Sequence, residues 1–424
     1  MRFLMSARTD VGRKRPHNED TLKVDESLGL YIVCDGMGGH AAGEVASAMA
    51  AETVHTQVSK VIEEMRRAAM ADDRDSRRRV LDLLGAAVTE ANRAIHERAE
   101  ANPEQRGMGT TLSLLFLAAG RAYVAHVGDS RLYLLRNDQV HQVTADHTIL
   151  NEMIRAGRIK PEDRNKVRHM NALTRAVGVY PNVEVDTLEL DVLPGDVFLL
   201  CSDGLHNYFE DFDLAGFLQH SEPESVTDDL IAYANKCGGS DNITVCTIFV
   251  KDAHETEKTM RIRLTLKTLR QIPLFQYLSF SELLKLIQIC RLVEVSEGTP
   301  IIRENDPGEA LFVVVDGRAV VHRGEQEISV LNPGRHFGEI ALIDNRPRSA
   351  SVTATKDSLL IRVTRDDFYE LLREDSVLAV KLLWNFIQTL TAVIRDLNDL
   401  PGPEKTLGGV AHPYTSQGFG GDAE

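Results

Sequence analysis

Five aspartates stand where apolar runs of strand character end or begin. Asp35 closes the run 30–34 and opens Asp35-Gly36-Met37-Gly38-Gly39-His40. Asp203 follows the run 197–201 in Ser202-Asp203-Gly204-Leu205, and Asp241 precedes the run 243–250 in Gly239-Ser240-Asp241-Asn242. Asp20 follows Asn18-Glu19, and Asp129 ends the run 122–127 in Val127-Gly128-Asp129-Ser130-Arg131. A single Asp-Gly is a common turn dipeptide. Its repetition at strand ends points further, because such carboxylates gather at one edge of a sheet. Gathered carboxylates repel one another and attract a divalent cation. Glycine beside an acid lets the backbone turn a carbonyl toward a ligand, and carboxylate plus carbonyl oxygens suit Mg²⁺ or Mn²⁺. Two such ions, about 3.5–4 Å apart, can activate water for in-line attack on phosphorus.

Segments 2–9 and 22–34 are expected as strands, and 41–70 and 77–101 as helices joined by an exposed, charged connection at 72–79. Four short strands are expected between 110 and 143, with Arg136-Asn137-Asp138-Gln139 as a hairpin turn. A polar, irregular stretch spans 146–175. Strand character resumes at 183, Pro194-Gly195-Asp196 is a turn, 211–236 gives two short helices, and a strand at 243–250 closes the domain.

In order along the chain stand Thr9-Asp10-Val11-Gly12, Arg15, Asn18-Glu19-Asp20, Asp35-Gly36-Met37-Gly38-Gly39-His40, Gly109-Thr110-Thr111, Val127-Gly128-Asp129-Ser130-Arg131, Ser202-Asp203-Gly204-Leu205 and Asp241-Asn242. This series resembles the metal-dependent, 2C-type serine/threonine protein phosphatases in their bacterial form, over residues 1–252. The resemblance implies that Asp20, Asp35, Asp203 and Asp241, with the Gly36 carbonyl, hold two Mn²⁺ or Mg²⁺ ions. It implies that Asp129 holds a third, weaker ion and that Arg15 binds the substrate phosphate. A planar guanidinium fork suits two phosphate oxygens. Read alone, Arg15 in Arg13-Lys14-Arg15 would be a solvated charge, and Asp129 would pair with Arg131 or cap a turn. Two positions depart from the family pattern. Asn207 replaces an acid common four residues after the third aspartate, and Met37 stands where some members place a histidine. His40 is assigned no role. In the family, the region corresponding to 146–175 forms a flap beside the site.

The chain has 424 residues, 43% of them hydrophobic, and a formal net charge of −15. That length predicts two or three domains. The charge disfavours nucleic acid and anionic membrane as partners. No run is long and apolar enough for a membrane span, and no signal-peptide pattern opens the chain. Cys34, Cys201, Cys237, Cys246 and Cys290 show no paired spacing and read as reduced thiols of a cytoplasmic protein.

After a linker that becomes a helix (253–269), residues 270–397 carry short strands separated by glycine turns, the pattern of a β-roll. Phe337-Gly338-Glu339-Ile340-Ala341-Leu342 and Arg346-Pro347-Arg348-Ser349-Ala350 resemble the phosphate-binding cassette of cyclic-nucleotide-binding domains. By that resemblance Glu339 accepts from a ribose hydroxyl and Arg348 neutralises the cyclic phosphate. Backbone amides around Gly338, Ala341 and Ala350 complete the cradle. Ser349 leaves cyclic AMP and cyclic GMP both open. The alternative to a binding site is that Glu339 and Arg348 simply pair with each other across an empty roll. The helix 376–397 is expected to close over the base, and a homodimer through it is open. The tail 398–424 is expected to be disordered and is too short for a DNA-binding module.

The fold class expected is α+β: an N-terminal α-β-β-α sandwich of two antiparallel sheets flanked by helices, then a β-roll with flanking helices. The expected function is a metal-dependent phosphatase acting on phosphoserine and phosphothreonine proteins, regulated by a cyclic nucleotide, with a serine/threonine kinase among its partners. The alternatives are a constitutive phosphatase with a docking domain, and a catalytically silent sensor scaffold.

Overall fold

The computed structural model describes residues 1–399 apart from 39–41, 72, 157, 160–162, 164–170, 210, 221, 252–256 and 345. The chain divides into two compact units, Met1–Glu255 and Thr256–Glu424.

The first unit opens with β1 (Phe3–Asp10), β2 (Asp20–Asp25) and β3 (Leu30–Met37), followed by the long helices α1 (Ala42–Met70) and α2 (Arg74–Ala101). Strands β4 (Gly109–Thr110), β5 (Leu112–Ala118), β6 (Arg121–Val127), β7 (Arg131–Arg136) and β8 (Gln139–Gln142) come next. Then follow α3 (Ile149–Arg155), β9 (Asp186–Asp191), β10 (Val197–Cys201), α4 (Asp203–His206), α5 (Asp211–His220), α6 (Val226–Lys236) and β11 (Ile243–Val250). The strands form two antiparallel sheets, β1-β11-β10-β7-β8 and β2-β3-β5-β6-β9, with β4 beside β3.

Strand side chains alternate between faces, and here both faces are apolar. Ile32, Cys34, Leu114 and Phe116 meet Ala46, Ala50 and Val54 of α1 and Leu84, Val88 and Ile95 of α2. Tyr133, Leu199, Cys201 and Val245 of the other sheet meet Leu214 and Leu218 of α5 and Leu230 and Ala234 of α6. The alternate residues Val33, Leu115, Val124, Phe198, Leu200 and Ile248 are also buried. Helix, sheet, sheet and helix therefore stack as four layers, as the α-β-β-α expectation has it.

Two local expectations are corrected. The segment 22–34 is not one strand. Asp25 Oδ1 accepts from Ser27 Oγ at 2.6 Å and from the Leu28 amide at 3.1 Å, and Gly29 adopts φ +74°. This turn folds β3 back on β2. The charged segment 72–79 is largely helix: α2 starts at Arg74, with Asp73 capping the Ser76 amide at 2.8 Å. A short acid that satisfies an orphan amide outweighs the local charge density that suggested a loop.

The second unit runs α7 (Glu257–Gln271), a 3₁₀ turn (Pro273–Phe275), α8 (Phe280–Gln288), β12 (Cys290–Val295), β13 (Pro300–Ile302), β14 (Ala310–Arg323), β15 (Gln326–Leu331) and β16 (His336–Phe337). A second 3₁₀ turn (Glu339–Leu342), β17 (Ser351–Thr364), α9 (Arg365–Glu374) and α10 (Ser376–Asp399) complete it. Register shifts between Val314 and Ala319 kink the long β14–β17 pair and let the sheet curl. Phe312, Val314, Phe337, Val352 and Leu360 fill one side of it. Leu311, Val313, Ile361 and Val363 meet Leu283, Leu286, Phe368, Leu378, Leu382 and Phe386 on the other. Leu269 of α7 is buried in this same cluster. The expected tail lies, from residue 400, outside the described residues. No helix of the described residues is long and apolar enough to cross a membrane.

Candidate functional site

The β2–β3 hairpin sets Asp20 directly opposite Asp35 in the ladder. Asp203 is the first residue of α4, and Asp241 lies one residue before Asn242, which leads into β11. Ser202 Oγ donates to Asp20 Oδ2 at 2.7 Å and accepts from the Thr244 amide at 3.0 Å, tying β2 to β11. Asp35 and Asp203 are near enough for each to act on the other's carboxylate.

Burial and mutual repulsion act on Asp20, Asp35, Asp203 and Asp129. Burial first, then the charges of Asp203 and Asp241, push Asp20 up to about 7. Asp35 is held well above the usual carboxylate range by burial and by Asp20, Asp203, Asp129 and Asp241. Asp203 is raised by burial and by Asp241. Asp129, on the β6–β7 connection, is pushed up to about 7 by burial, then by Asp203 and Asp146.

Oδ1 of Asp20 and Oδ1 of Asp203 are buried with no hydrogen-bond partner. A buried, partnerless carboxylate oxygen is costly unless a cation meets it. The donor set therefore fits hard divalent cations. Among the described residues no three His, Cys, Asp or Glu side chains converge to hold one ion by themselves. That is compatible with Mg²⁺-type binding, in which one or two carboxylates serve each ion and water completes the shell.

Gly36 is required where it stands. A Cβ there would lie 2.1 Å from the Gly43 carbonyl oxygen and 2.5 Å from that of Glu19. Arg15 is exposed but not unpaired; its Nη2 donates to Asp241 Oδ2 at 2.7 Å, and Asp241, Glu19 and Asp35 favour its charge. The pairing of Asp129 with Arg131 is not formed, because Arg131 holds Asp146 through two bonds of 2.8 and 2.6 Å. Asn207 Nδ2 donates to Asp203 Oδ2 at 3.3 Å, a bond an ionised acid could not make. Of the flap region 146–175, residues 146–156, 158, 159, 163 and 171–175 are described. Arg175 there bonds Asp186 at 2.8 Å and Glu184 at 2.9 Å. His40 lies outside the described residues.

Two residues of the quoted motifs carry positioning roles that spacing alone did not assign. Asn242, 4% exposed, donates to the carbonyls of Val11 at 3.0 Å and His17 at 2.9 Å and accepts from the Glu19 amide at 2.8 Å. It thereby pins the loop that carries Arg15 and leads to Asp20. Thr111 Oγ1 accepts from the Asp35 amide at 2.9 Å and bonds Ser130 Oγ at 2.6 Å. It links the Asp35 strand to the Asp129 connection. The Asp-Asn and Gly-Thr-Thr motifs were the signals for both.

In the second unit Gly338 adopts φ +76° and caps the turn that begins at Glu339. A Cβ on Gly338 would lie 2.6 Å from Arg348 Nη1. Arg348, 8% exposed, donates to the carbonyls of Gly338 at 3.2 Å and Ala310 at 2.7 Å. Its Nε is buried without a partner, and burial together with Arg365 lowers its pKa. Glu339 and Arg348 form no ion pair, so the alternative in which the two simply neutralise each other is not realised. A desolvated guanidinium held by neutral carbonyls fits an anion. The Ala341 amide bonds the Gly338 carbonyl at 3.1 Å, Ser349 is exposed beside Arg348, and Ala350 is half-buried. Helix α10, expected over a base, packs one face through Leu378, Leu382 and Phe386, and Asn385 donates to the Leu274 carbonyl at 2.9 Å.

Residues 13–237 match the family model for Protein phosphatase 2C, and residues 292–375 match that for the Cyclic nucleotide-binding domain. The chain is similar to the "Serine/threonine phosphatase stp" of Listeria innocua, 40% identical over 245 residues that cover 57% of this chain and 93% of that protein. It is also similar to the "Serine/threonine protein phosphatase PstP" of Mycobacterium tuberculosis, 36% identical over 247 residues, 58% of this chain and 45% of that protein. Among solved structures, Mycobacterium tuberculosis PstP/Ppp aligns with a TM-score of 0.52 at 35% identity, covering 59% of this chain and 99% of that one. The PstP catalytic domain solved with two manganese ions aligns with a TM-score of 0.50 at 36% identity, with the same two coverages.

Proposed function

The chain belongs to the protein phosphatase 2C family and is a serine/threonine phosphatase with an appended cyclic nucleotide-binding domain, and from that premise we propose how its residues act and what governs them. Asp20, Asp35, Asp203 and Asp241, with the Gly36 carbonyl, hold two Mn²⁺ or Mg²⁺ ions, and Asp129 serves a third. The observation that carries this reading is the gathering of acids from four separate segments with buried, partnerless oxygens on Asp20 and Asp203. Ions bound there would lower the pKa of water and screen charge on the phosphoryl group. Arg15 spends one Nη2 bond on Asp241 and keeps further N–H donors for phosphate oxygens. Asn242 and Ser202 hold Arg15 and Asp20 in place. The substrates are phosphoproteins made by serine/threonine kinases, and the protein works in the cytoplasm.

Cyclic AMP or cyclic GMP binds at Gly338, Glu339, Ala341, Arg348, Ser349 and Ala350 and alters turnover. The uncompensated Arg348 cation supports an anionic ligand. The experiment is hydrolysis of a phosphothreonine peptide with Mn²⁺, with and without each nucleotide. Turnover that changes with one nucleotide is expected. Turnover indifferent to both would leave a constitutive enzyme with a docking domain, and no turnover with metal present would leave a scaffold.

The second copy of this chain is a further partner, and α10 supports it. Its outward residues Val380, Leu383, Ile387 and Leu390 are 67, 50, 53 and 46% exposed. The spacing is three, four, three, and the sequence continues it with Ile394 and Leu397. Val and Ile fall at one heptad position and Leu at the other, the choice that favours two parallel strands. The stripe carries no charge and is its own complement, as a two-fold interface requires.

A further inference from the structure

We propose that Arg13 and Lys14 select the substrate by binding an anionic group, carboxylate or second phosphate, that flanks the phosphoresidue; this rests on the reading of Arg15 as the residue that holds the phosphate to be cleaved. Arg13-Lys14-Arg15 sets three cations in a row on a chain whose formal net charge is −15. Arg15 has a partner in Asp241. Arg13 and Lys14 are exposed, and among the described residues no carboxylate pairs with either. Asp10, in the strand that leads into them, is already engaged, since its Oδ1 accepts from the Gly12 amide at 2.8 Å and from Asn235 Nδ2 at 3.0 Å.

The loop that carries these cations is fixed in place. Asn242 holds both of its ends, through the Val11 and His17 carbonyls. The Arg13 amide donates to the Gly239 carbonyl at 2.7 Å. Gly12, at φ +79°, lies so close to the 239–241 segment that a Cβ on it would stand 2.2 Å from the Asp241 carbonyl oxygen. Gly239 is the bed for the Arg13 stem, because a Cβ there would lie 2.8 Å from Arg13 Cγ. Tyr208 steadies that bed: its hydroxyl accepts from the Ser240 amide at 2.9 Å and bonds Ser240 Oγ at 2.7 Å. Arg13 thus lies over Gly239 while Arg15 reaches Asp241, two residues on. Two residues of extended chain span about 6–7 Å. A bound peptide runs at the same interval, so an anion within about three residues of the phosphoresidue meets Arg13 or Lys14. Exposed cations on a preformed loop add little affinity each, but they sort partners by charge.

The test measures kcat/KM of the full chain with Mn²⁺ on three phosphothreonine peptides of equal length. One has neutral flanks, one has glutamates two residues to either side, and one has a non-hydrolysable phosphonate at those positions. The wild type is expected to favour both anionic peptides over the neutral one by about three- to tenfold at low salt. That advantage shrinks toward one at about 0.5 M salt, where exposed charges are screened. The variant carrying both Arg13→Gln and Lys14→Gln keeps much of each stem and loses the charges, so its anionic-to-neutral ratio falls to about one. Preference for only one of the anionic peptides supports the proposal and identifies the flanking group as carboxylate or phosphate. Equal kcat/KM on all three peptides in the wild type overturns the proposal, needs no variant, and leaves the phosphatase reading standing. A wild-type preference that survives the double substitution overturns the assignment to Arg13 and Lys14. No turnover of any peptide with Mn²⁺ present overturns the phosphatase reading and takes this proposal with it.

Discussion

At the scale of residues, this phosphatase site is a set of like charges that the fold holds together against their repulsion. Asp203→Asn keeps the shape of the side chain and removes the charge that the neighbouring acids resist. Turnover of a phosphothreonine peptide should fall to the detection limit, while the ligand-free protein melts at the same temperature or higher. Asn242→Ala makes the opposite prediction. It leaves the Glu19 amide and the Val11 and His17 carbonyls without their partner. Stability should drop by about 2–4 kcal/mol, read by urea unfolding, and the KM for phosphopeptide should rise as the Arg15 loop loosens. The acids themselves were legible in the sequence, because carboxylates at strand ends form a pattern. The roles of Asn242 and Thr111 were not. The bonds of Asn242, and that of Thr111 to the Asp35 amide, run to backbone atoms across more than 70 residues of chain, and no local spacing encodes such partners.

At the scale of elements, the turn at residues 26–29 decides whether there is a site. As one continuous strand, 22–34 would carry Asp20 and Asp35 far apart; folded at Gly29, it sets them face to face. The signal was Asp-Glu-Ser-Leu-Gly, whose propensity for a turn was outweighed by the apolar residues on either side. Gly29→Val places a β-branched residue at φ +74° with its Cβ 2.5 Å from the Leu117 carbonyl oxygen. Destabilisation of roughly 3 kcal/mol or more is expected, with loss of Mn²⁺ binding by calorimetry. Helix α10 makes a prediction about assembly. Leu383→Glu with Ile387→Lys puts charges on side chains already exposed in the single chain. The monomer should melt normally, and sedimentation should show dimer for the wild type and monomer for the variant. A wild-type chain that stays monomeric at tens of micromolar would remove the coiled coil. About 100 Å² per side chain over two copies brings the stripe, with Trp384, to the order of 1,000 Å², the low end of stable interfaces.

At the scale of the whole molecule, two units with separate cores predict two independent responses to metal. Chelation should lower the melting temperature of the first unit, and Mn²⁺ should raise it with the logarithm of free ion concentration. The transition of the second unit should not move, and calorimetry resolves the two. The order of the units and their fold class were legible because each carries a dense series of motifs. The helix 257–271 was harder, since its charged outer residues resemble a connector, while its ties to the roll, the burial of Leu269 and the bond of Arg261 to Glu294, are long-range.

Asp20 and Asp35 stand across one ladder with the same sign, an arrangement that weakens a sheet wherever nothing lies between them. On the proposed metal assignment, the manganese or magnesium supply of the cell would set how long the molecule survives as well as how fast it works. A chain starved of ions would then open at this seam more often, and quality-control proteases act on opened states. Metal limitation would thus lower the number of phosphatase molecules along with their rate, and phosphoprotein levels would recover only as fast as new chains are synthesised.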